Sequence, residues 1–68
     1  MVIDGNKIRK LREKAGMTQS ELGDVAGVSY NMINFLENEK KTTNVEILAR
    51  IAQHFNVAVD DLLKKQGA

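Results

Sequence analysis

The stretch from Ser29 to Asn38 carries side chains suited to reading a hydrogen-bonding surface. A helix over this stretch, turning by about 100° per residue, gathers three asparagines and two aromatic residues on one face: Tyr30, Asn31, Asn34, Phe35 and Asn38. The face carries no charge, and the apolar Ile33 and Leu36 fall on the opposite arc. An asparagine carboxamide can pair with adenine through two hydrogen bonds in the major groove of DNA, and aromatic carbon can contact a thymine methyl group. The pattern therefore favours an exposed face that reads base edges.

Two other interpretations of this face stay open. It can be an ordinary solvated face, although each asparagine costs about 0.5 kcal/mol of helix propensity against alanine. It can also bind another protein, because exposed tyrosine and phenylalanine contribute little to a core.

The positions of the charged residues support a nucleic-acid partner more than the net charge does. The net charge is only +1, from 10 basic and 9 acidic residues. The first 14 residues hold five of the basic side chains: Lys7, Arg9, Lys10, Arg12 and Lys14. A solvated helix face explains that cluster equally well. Lys40 and Lys41 are better placed, because they follow directly on the stretch expected to enter the groove.

Residues that catalysis commonly uses are scarce in this chain. It has no cysteine, and His54 is its single histidine. The sequence shows no carboxylate cluster, no phosphate-binding glycine loop and no metal-ligand spacing. We therefore predict that the protein is not an enzyme and holds no cofactor and no metal ion.

The elements that must position the asparagine-rich face are short helices. With 68 residues, 43% of them hydrophobic and 28% charged, we expect one globular domain over residues 1–68. No apolar run approaches the 18 or more residues of a membrane span, and no signal peptide is evident, so we expect a soluble cytoplasmic protein.

Apolar residues recur at helical spacing between glycine and asparagine breaks. This periodicity predicts an all-α fold, a compact bundle of five short helices over about residues 4–15, 18–26, 29–38, 43–55 and 59–65. Thr18 and Glu21 have the spacing of a capping box, and Gly27 can end that second helix. Ala58 offers no side-chain oxygen to cap the fifth helix, so we expect this helix to fray most.

Several runs of the sequence resemble the Cro/Xre-type helix-turn-helix repressors. They lie at residues 8–23 (IRKLREKAGMTQSELG), 27–29 (GVS), 33–38 (INFLEN), 47–52 (ILARIA) and 55–63 (FNVAVDDLL). The resemblance covers about residues 5–63, without a gap. It implies a fold like the DNA-binding domain of lambda repressor, with a central helix-turn-helix over about residues 18–38. In this family the second helix of that motif is the recognition helix.

The resemblance also implies roles for individual residues. The positions expected to face bases or the nearby backbone are Ser29, Tyr30, Asn31, Asn34 and Phe35. Those expected to contact phosphates are Gln19, Asn38, Lys40 and Lys41. Arg12 and Glu37 occupy positions that form a salt bridge, whereas we expect Arg9→Ala to change stability little. Gly23 stands where the family commonly has alanine, at a cost of about 1 kcal/mol of helix propensity.

Together these features predict a sequence-specific regulator of transcription that binds double-stranded DNA, a repressor by its resemblance. Motifs of this kind usually act as dimers on paired half-sites. We therefore expect a homodimer on a near-palindromic operator, with candidate contacts at Val57, Val59, Leu62 and Leu63. The alternative is a protein-interaction module on the same fold, such as the antitoxin of a toxin–antitoxin pair.

Overall fold

The protein, seen in a computed structural model, folds as a set of short helices around one apolar core. The structure describes residues 2–39 and 45–64. Within these residues four α-helices run in chain order: α1 (Gly5–Lys14), α2 (Gln19–Ala26), α3 (Tyr30–Glu39) and α4 (Val45–Phe55). A short 3-10 helix (Val59–Leu62) follows. The expected start of the fourth helix near Thr43 or Asn44 lies outside the described residues. No described helix combines the length and the apolar character needed to cross a lipid bilayer.

Local capping explains where α1 and α2 begin. Asp4 accepts a hydrogen bond from the Lys7 backbone N–H at 3.2 Å and caps α1. The predicted capping box of α2 is confirmed: the Glu21 N–H donates to Thr18 Oγ1 at 3.1 Å, and the Thr18 N–H donates to Glu21 Oε1 at 2.8 Å. Gly27 then ends α2 with a φ of 76°, in the left-handed region that glycine adopts readily. These two ends fix the direction in which the chain enters α3.

The predicted bundle of five α-helices is wrong in its last element. Residues 59–62 form a single 3-10 turn, after which Leu63 is extended and pairs with Ile3 in an isolated antiparallel bridge. The Asp4 N–H donates to the Leu62 carbonyl and the Lys64 N–H to the Val2 carbonyl, each at 2.8 Å. A helix continuing through Leu63 would give up this pairing. The all-helical class is correct, whereas the fifth helix is reduced to one turn.

The core lies where α1, α2, α3, α4 and the 3-10 turn meet. Ten hydrophobic side chains of the described part of the chain are buried in it: Ile3, Ile8, Leu22, Ala26, Ile33, Leu36, Leu48, Ile51, Ala52 and Leu62. The expectation that Ile33 and Leu36 face inward is confirmed, since neither exposes any surface. Because α3 packs against both α1 and α2 on this side, its opposite side is left open to solvent.

Candidate nucleic-acid interface

The outer face of α3 is exposed along its length, together with the residue that precedes it. This face, defined here as the α3 outer face, comprises six residues that are all exposed: Ser29, Tyr30, Asn31, Asn34, Phe35 and Asn38. Tyr30 exposes 56% of its surface and Phe35 38%. The exposure of the five α3 positions in this set agrees with the helical angles expected from the sequence.

Glu37 lies on the inner side of α3, and it is the only buried polar or charged residue among those described. Its carboxylate receives two hydrogen bonds from the Arg12 guanidinium, from Nε to Oε2 at 2.7 Å and from Nη2 to Oε1 at 3.1 Å. Arg12 also donates from Nη1 to the Met17 carbonyl at 2.8 Å. The hydrogen bond to Glu37 raises the pKa of Arg12 above its usual value. This ion pair fixes α3 against α1 and against the turn that leads into α2.

Arg9 joins the same cluster, a role that the sequence pattern did not assign to it. Its Nε lies 3.5 Å from Glu37 Oε1, and its Nη2 donates to Asn38 Oδ1 at 2.7 Å. Arg9 and Arg12 are three residues apart and therefore share one face of α1. The spacing of Arg9 and Arg12 therefore indicates, from the sequence alone, that Arg9 faces the same carboxylate as Arg12.

The carboxamides of three candidate contact residues are joined to one another. Asn38 Nδ2 donates to Asn34 Oδ1 at 2.7 Å and to the Asn34 carbonyl at 2.9 Å. Gln19 Nε2 lies 3.2 Å from Glu37 Oε1 and 3.4 Å from Asn34 Oδ1, and it donates to both. The start of α2 and the end of α3 are thus connected by side-chain hydrogen bonds.

This network bears on the predicted phosphate contacts. Asn38 and Gln19 direct their NH2 groups toward Asn34 and Glu37, so their hydrogens are already used within the protein. A side-chain hydrogen bond from either residue to a phosphate requires the network to open. Among the described residues, Nη1 of Arg9 takes part in no hydrogen bond, and the Arg9 side chain is 37% exposed. Lys40 and Lys41, the other predicted phosphate contacts, lie outside the described residues.

The single histidine lies apart from this cluster. His54 is exposed near the end of α4, where its ring meets the Phe55 ring edge to face with centroids 5.0 Å apart. The described residues contain no group of three or more acidic, histidine or cysteine side chains arranged to hold a metal ion.

Taken together, the geometry defines a helical module in which a capped helix and a glycine turn present the exposed face of a second helix. The chain belongs to the helix-turn-helix family, whose pattern matches residues 8–62. The resemblance to Cro/Xre-type proteins seen in the sequence is confirmed.

The chain is 41% identical over 56 residues to an uncharacterised HTH-type transcriptional regulator of Archaeoglobus fulgidus, covering 82% of this chain and 80% of that protein. A putative HTH-type transcriptional regulatory protein of Methanoregula boonei is 38% identical, but the match spans only 22% of its length.

Solved structures show the same fold. The P22 c2 repressor, crystallised with a synthetic operator, superposes with a TM-score of 0.84 at 31% identity, covering 94% of this chain and 97% of that chain. The biofilm regulator SinR of Bacillus subtilis, crystallised with DNA, superposes with a TM-score of 0.79 at 27% identity. That match covers 91% of this chain and all of the SinR chain in the crystal, 100%.

Proposed function

We propose that this protein is a sequence-specific, double-stranded DNA-binding regulator of transcription, a repressor, that inserts α3 into the major groove. The observation that carries the proposal is the α3 outer face, an uncharged and exposed surface of carboxamides and aromatic rings. The DNA complexes of the P22 c2 repressor and SinR support it, because both superpose on nearly the whole chain.

In this proposal the residues of the outer face divide by chemistry. Among the described residues, the Asn31 side chain takes part in no hydrogen bond, so both its donor and its acceptor are open to a base edge. Phe35 and Tyr30 offer carbon surface to a thymine methyl group or to the sugar–phosphate backbone. Lys40 and Lys41 neutralise phosphates beyond the end of α3, and Arg9 joins them from α1.

The functional unit that we propose is a homodimer on a near-palindromic operator. A single small module buries only about 600–1,000 Å² on DNA, which is modest for specific recognition. Two copies related by a twofold axis would read half-sites about 34–36 Å apart. A binding protein, and not an enzyme, is also what the relatives named as transcriptional regulators support.

Fluorescence anisotropy with the DNA upstream of the protein's own coding sequence tests the proposal. We expect that duplex to bind at least about 1,000-fold more tightly than a scrambled duplex of equal length and composition. For both duplexes, the logarithm of the affinity should fall linearly with the logarithm of the salt concentration. Equal, weak binding to both duplexes would favour the protein-interaction module, with the α3 outer face as its docking surface.

A further inference from the structure

Asn34 faces the solvent with a carboxamide whose two ends have opposite hydrogen-bonding character. The oxygen accepts and the NH2 group donates, so the base that Asn34 selects depends on which end points outward. A carboxamide free to turn can match adenine with both ends. The neighbours of Asn34 remove that freedom from two directions.

The first constraint begins at Arg9, because a guanidinium group can only donate hydrogen bonds. Its Nη2 approaches the Asn38 carboxamide at 2.7 Å, which requires the oxygen of Asn38 to face Arg9. The NH2 group of Asn38 then faces Asn34, at 2.7 Å from its side chain. A donor arriving there must meet the oxygen of Asn34, so this oxygen is turned inward.

The second constraint begins at Glu37, because a carboxylate can only accept hydrogen bonds. The Glu37 side chain exposes no surface and is held by Arg12, so it cannot turn away. The carboxamide of Gln19 lies 3.2 Å from it, which requires the NH2 group of Gln19 to face inward. That same nitrogen lies 3.4 Å from Asn34 Oδ1 and adds a second donor to the same oxygen.

We propose that Arg9 is a specificity-determining positioning residue, which acts through Asn38 to hold Asn34 with its NH2 group outward. The inference rests on the proposed function, in which α3 enters the major groove. Asn34 then presents two hydrogens and no acceptor, and it selects guanine, whose N7 and O6 are both acceptors. This differs from the adenine pairing that the sequence suggested for Asn34. Asn31, which the network does not hold, keeps the adenine assignment.

Selection of operators from randomised duplexes tests the predicted base. Wild-type protein and Asn34→Ala are each used to select DNA, and the base pair at which only the wild type shows a preference is the one that Asn34 reads. We expect guanine at that position. Replacing it by 7-deazaguanine should weaken wild-type binding about two- to tenfold and leave Asn34→Ala unaffected. Adenine at that position, with a loss of affinity when its N6 amino group is removed, would overturn the inference.

A pair of variants tests the role of Arg9. Arg9→Ala should weaken the preference at the base pair read by Asn34, because only Gln19 then holds the Asn34 oxygen inward, while the preference at the base pair read by Asn31 persists. Lys10→Ala removes the same charge from an exposed position of α1 and should keep both preferences. Each variant is assayed well below its own melting temperature, and the 7-deazaguanine experiment does not involve Arg9→Ala.

The two proposals fail in different ways. If the wild type selects no sequence, the proposed function is wrong and this inference falls with it. If the wild type selects an operator and Arg9→Ala keeps every base preference that Lys10→Ala keeps, only the inference about Arg9 is wrong.

Discussion

The buried carboxylate of Glu37 organises the residues around the candidate site. A charge in an apolar interior is costly unless it is paired and hydrogen-bonded. Here Arg12, Arg9 and Gln19 all face it. Because these partners come from α1 and α2, the requirement to satisfy one charge fixes how α3 sits on both neighbours.

Loss of Arg12 should therefore destabilise the fold. We expect Arg12→Ala to lower the free energy of unfolding by about 3 kcal/mol, the low end for a broken buried pair, because Arg9 stays close to Glu37. Lys14→Ala removes the same charge from an exposed position of α1 and should cost less than about 0.5 kcal/mol. Urea denaturation of both variants measures the difference, and equal midpoints would contradict this role for Arg12.

The structure also revises the expectation for Arg9. The sequence pattern alone suggests that Arg9→Ala is nearly neutral for stability, but Arg9 contacts both Glu37 and Asn38. Its partial exposure keeps any stability effect smaller than that of Arg12, at about 1 kcal/mol or less.

The aromatic part of the outer face should read a methyl group. We expect Phe35→Ala to weaken operator binding by about 0.8 kcal/mol, the value of one buried methyl-sized group. Replacing the contacted thymine by uracil should weaken wild-type binding by a similar amount. Binding of the wild type and of Phe35→Ala to the thymine and uracil duplexes gives the coupling energy between Phe35 and the methyl group. Fully additive losses of binding energy would show that Phe35 does not touch that methyl group.

Part of this residue-scale organisation could be predicted from the sequence. Helical geometry alone placed Tyr30, Asn31, Asn34 and Phe35 on one open face and Glu37 on the other side. The orientation of the carboxamides could not be predicted, because it depends on contacts between residues far apart in the chain. Arg9 and Asn38, for example, are 29 positions apart.

At the scale of elements, Gly23 sets the distance between α2 and the turn into α3. A Cβ atom at this position would lie 2.6 Å from the Val28 carbonyl oxygen, closer than real side chains approach. The family pattern suggests a tight contact between the two motif helices here, in which glycine fits but costs helix propensity in place of the common alanine. The structure shows that, in this backbone, the missing side chain is what permits the close approach.

Alanine at this position should therefore destabilise the protein despite its better helix propensity. We expect Gly23→Ala to lower the free energy of unfolding by about 1–3 kcal/mol through overpacking. Asp24→Ala, at the exposed neighbouring position of the same helix, should be neutral or stabilising by about 0.5 kcal/mol. Thermal melting followed by circular dichroism compares them, and a higher melting temperature for Gly23→Ala would show that the turn adjusts without cost.

Local sequence signals predicted the bounds of some helices better than those of others. Thr18, Glu21 and Gly27 fixed the bounds of α2 because each acts within one helical turn. The expected fifth helix failed because Leu63 pairs with Ile3, a residue from the opposite end of the chain. Periodicity within the segment carries no information about such a pairing.

At the scale of the whole molecule, the proposed homodimer needs apolar surface that lies outside the core. Leu62 is fully buried, so it closes the core and is removed from the candidate dimer contacts. Val57, Val59 and Leu63 are partly buried and keep exposed surface for a second copy. We expect sedimentation of the protein–DNA complex to give two protomers per operator, and one protomer per operator would contradict the dimer.

If the α3 outer face reads bases, loss of the Asn31 side chain should show it clearly, because the carboxamide network does not hold this side chain. Binding of wild type, Asn31→Ala and Lys41→Ala is measured on the operator, on its single-base variants and on scrambled DNA at several salt concentrations. Asn31→Ala should lose about 1–3 kcal/mol on the operator and its preference at one base pair, with scrambled DNA unaffected. Lys41→Ala should weaken all duplexes alike and reduce the slope of log affinity against log salt by about 0.9 for each phosphate that is no longer neutralised. Full operator affinity and an unchanged base profile in Asn31→Ala would contradict base reading and leave the α3 outer face to a protein partner.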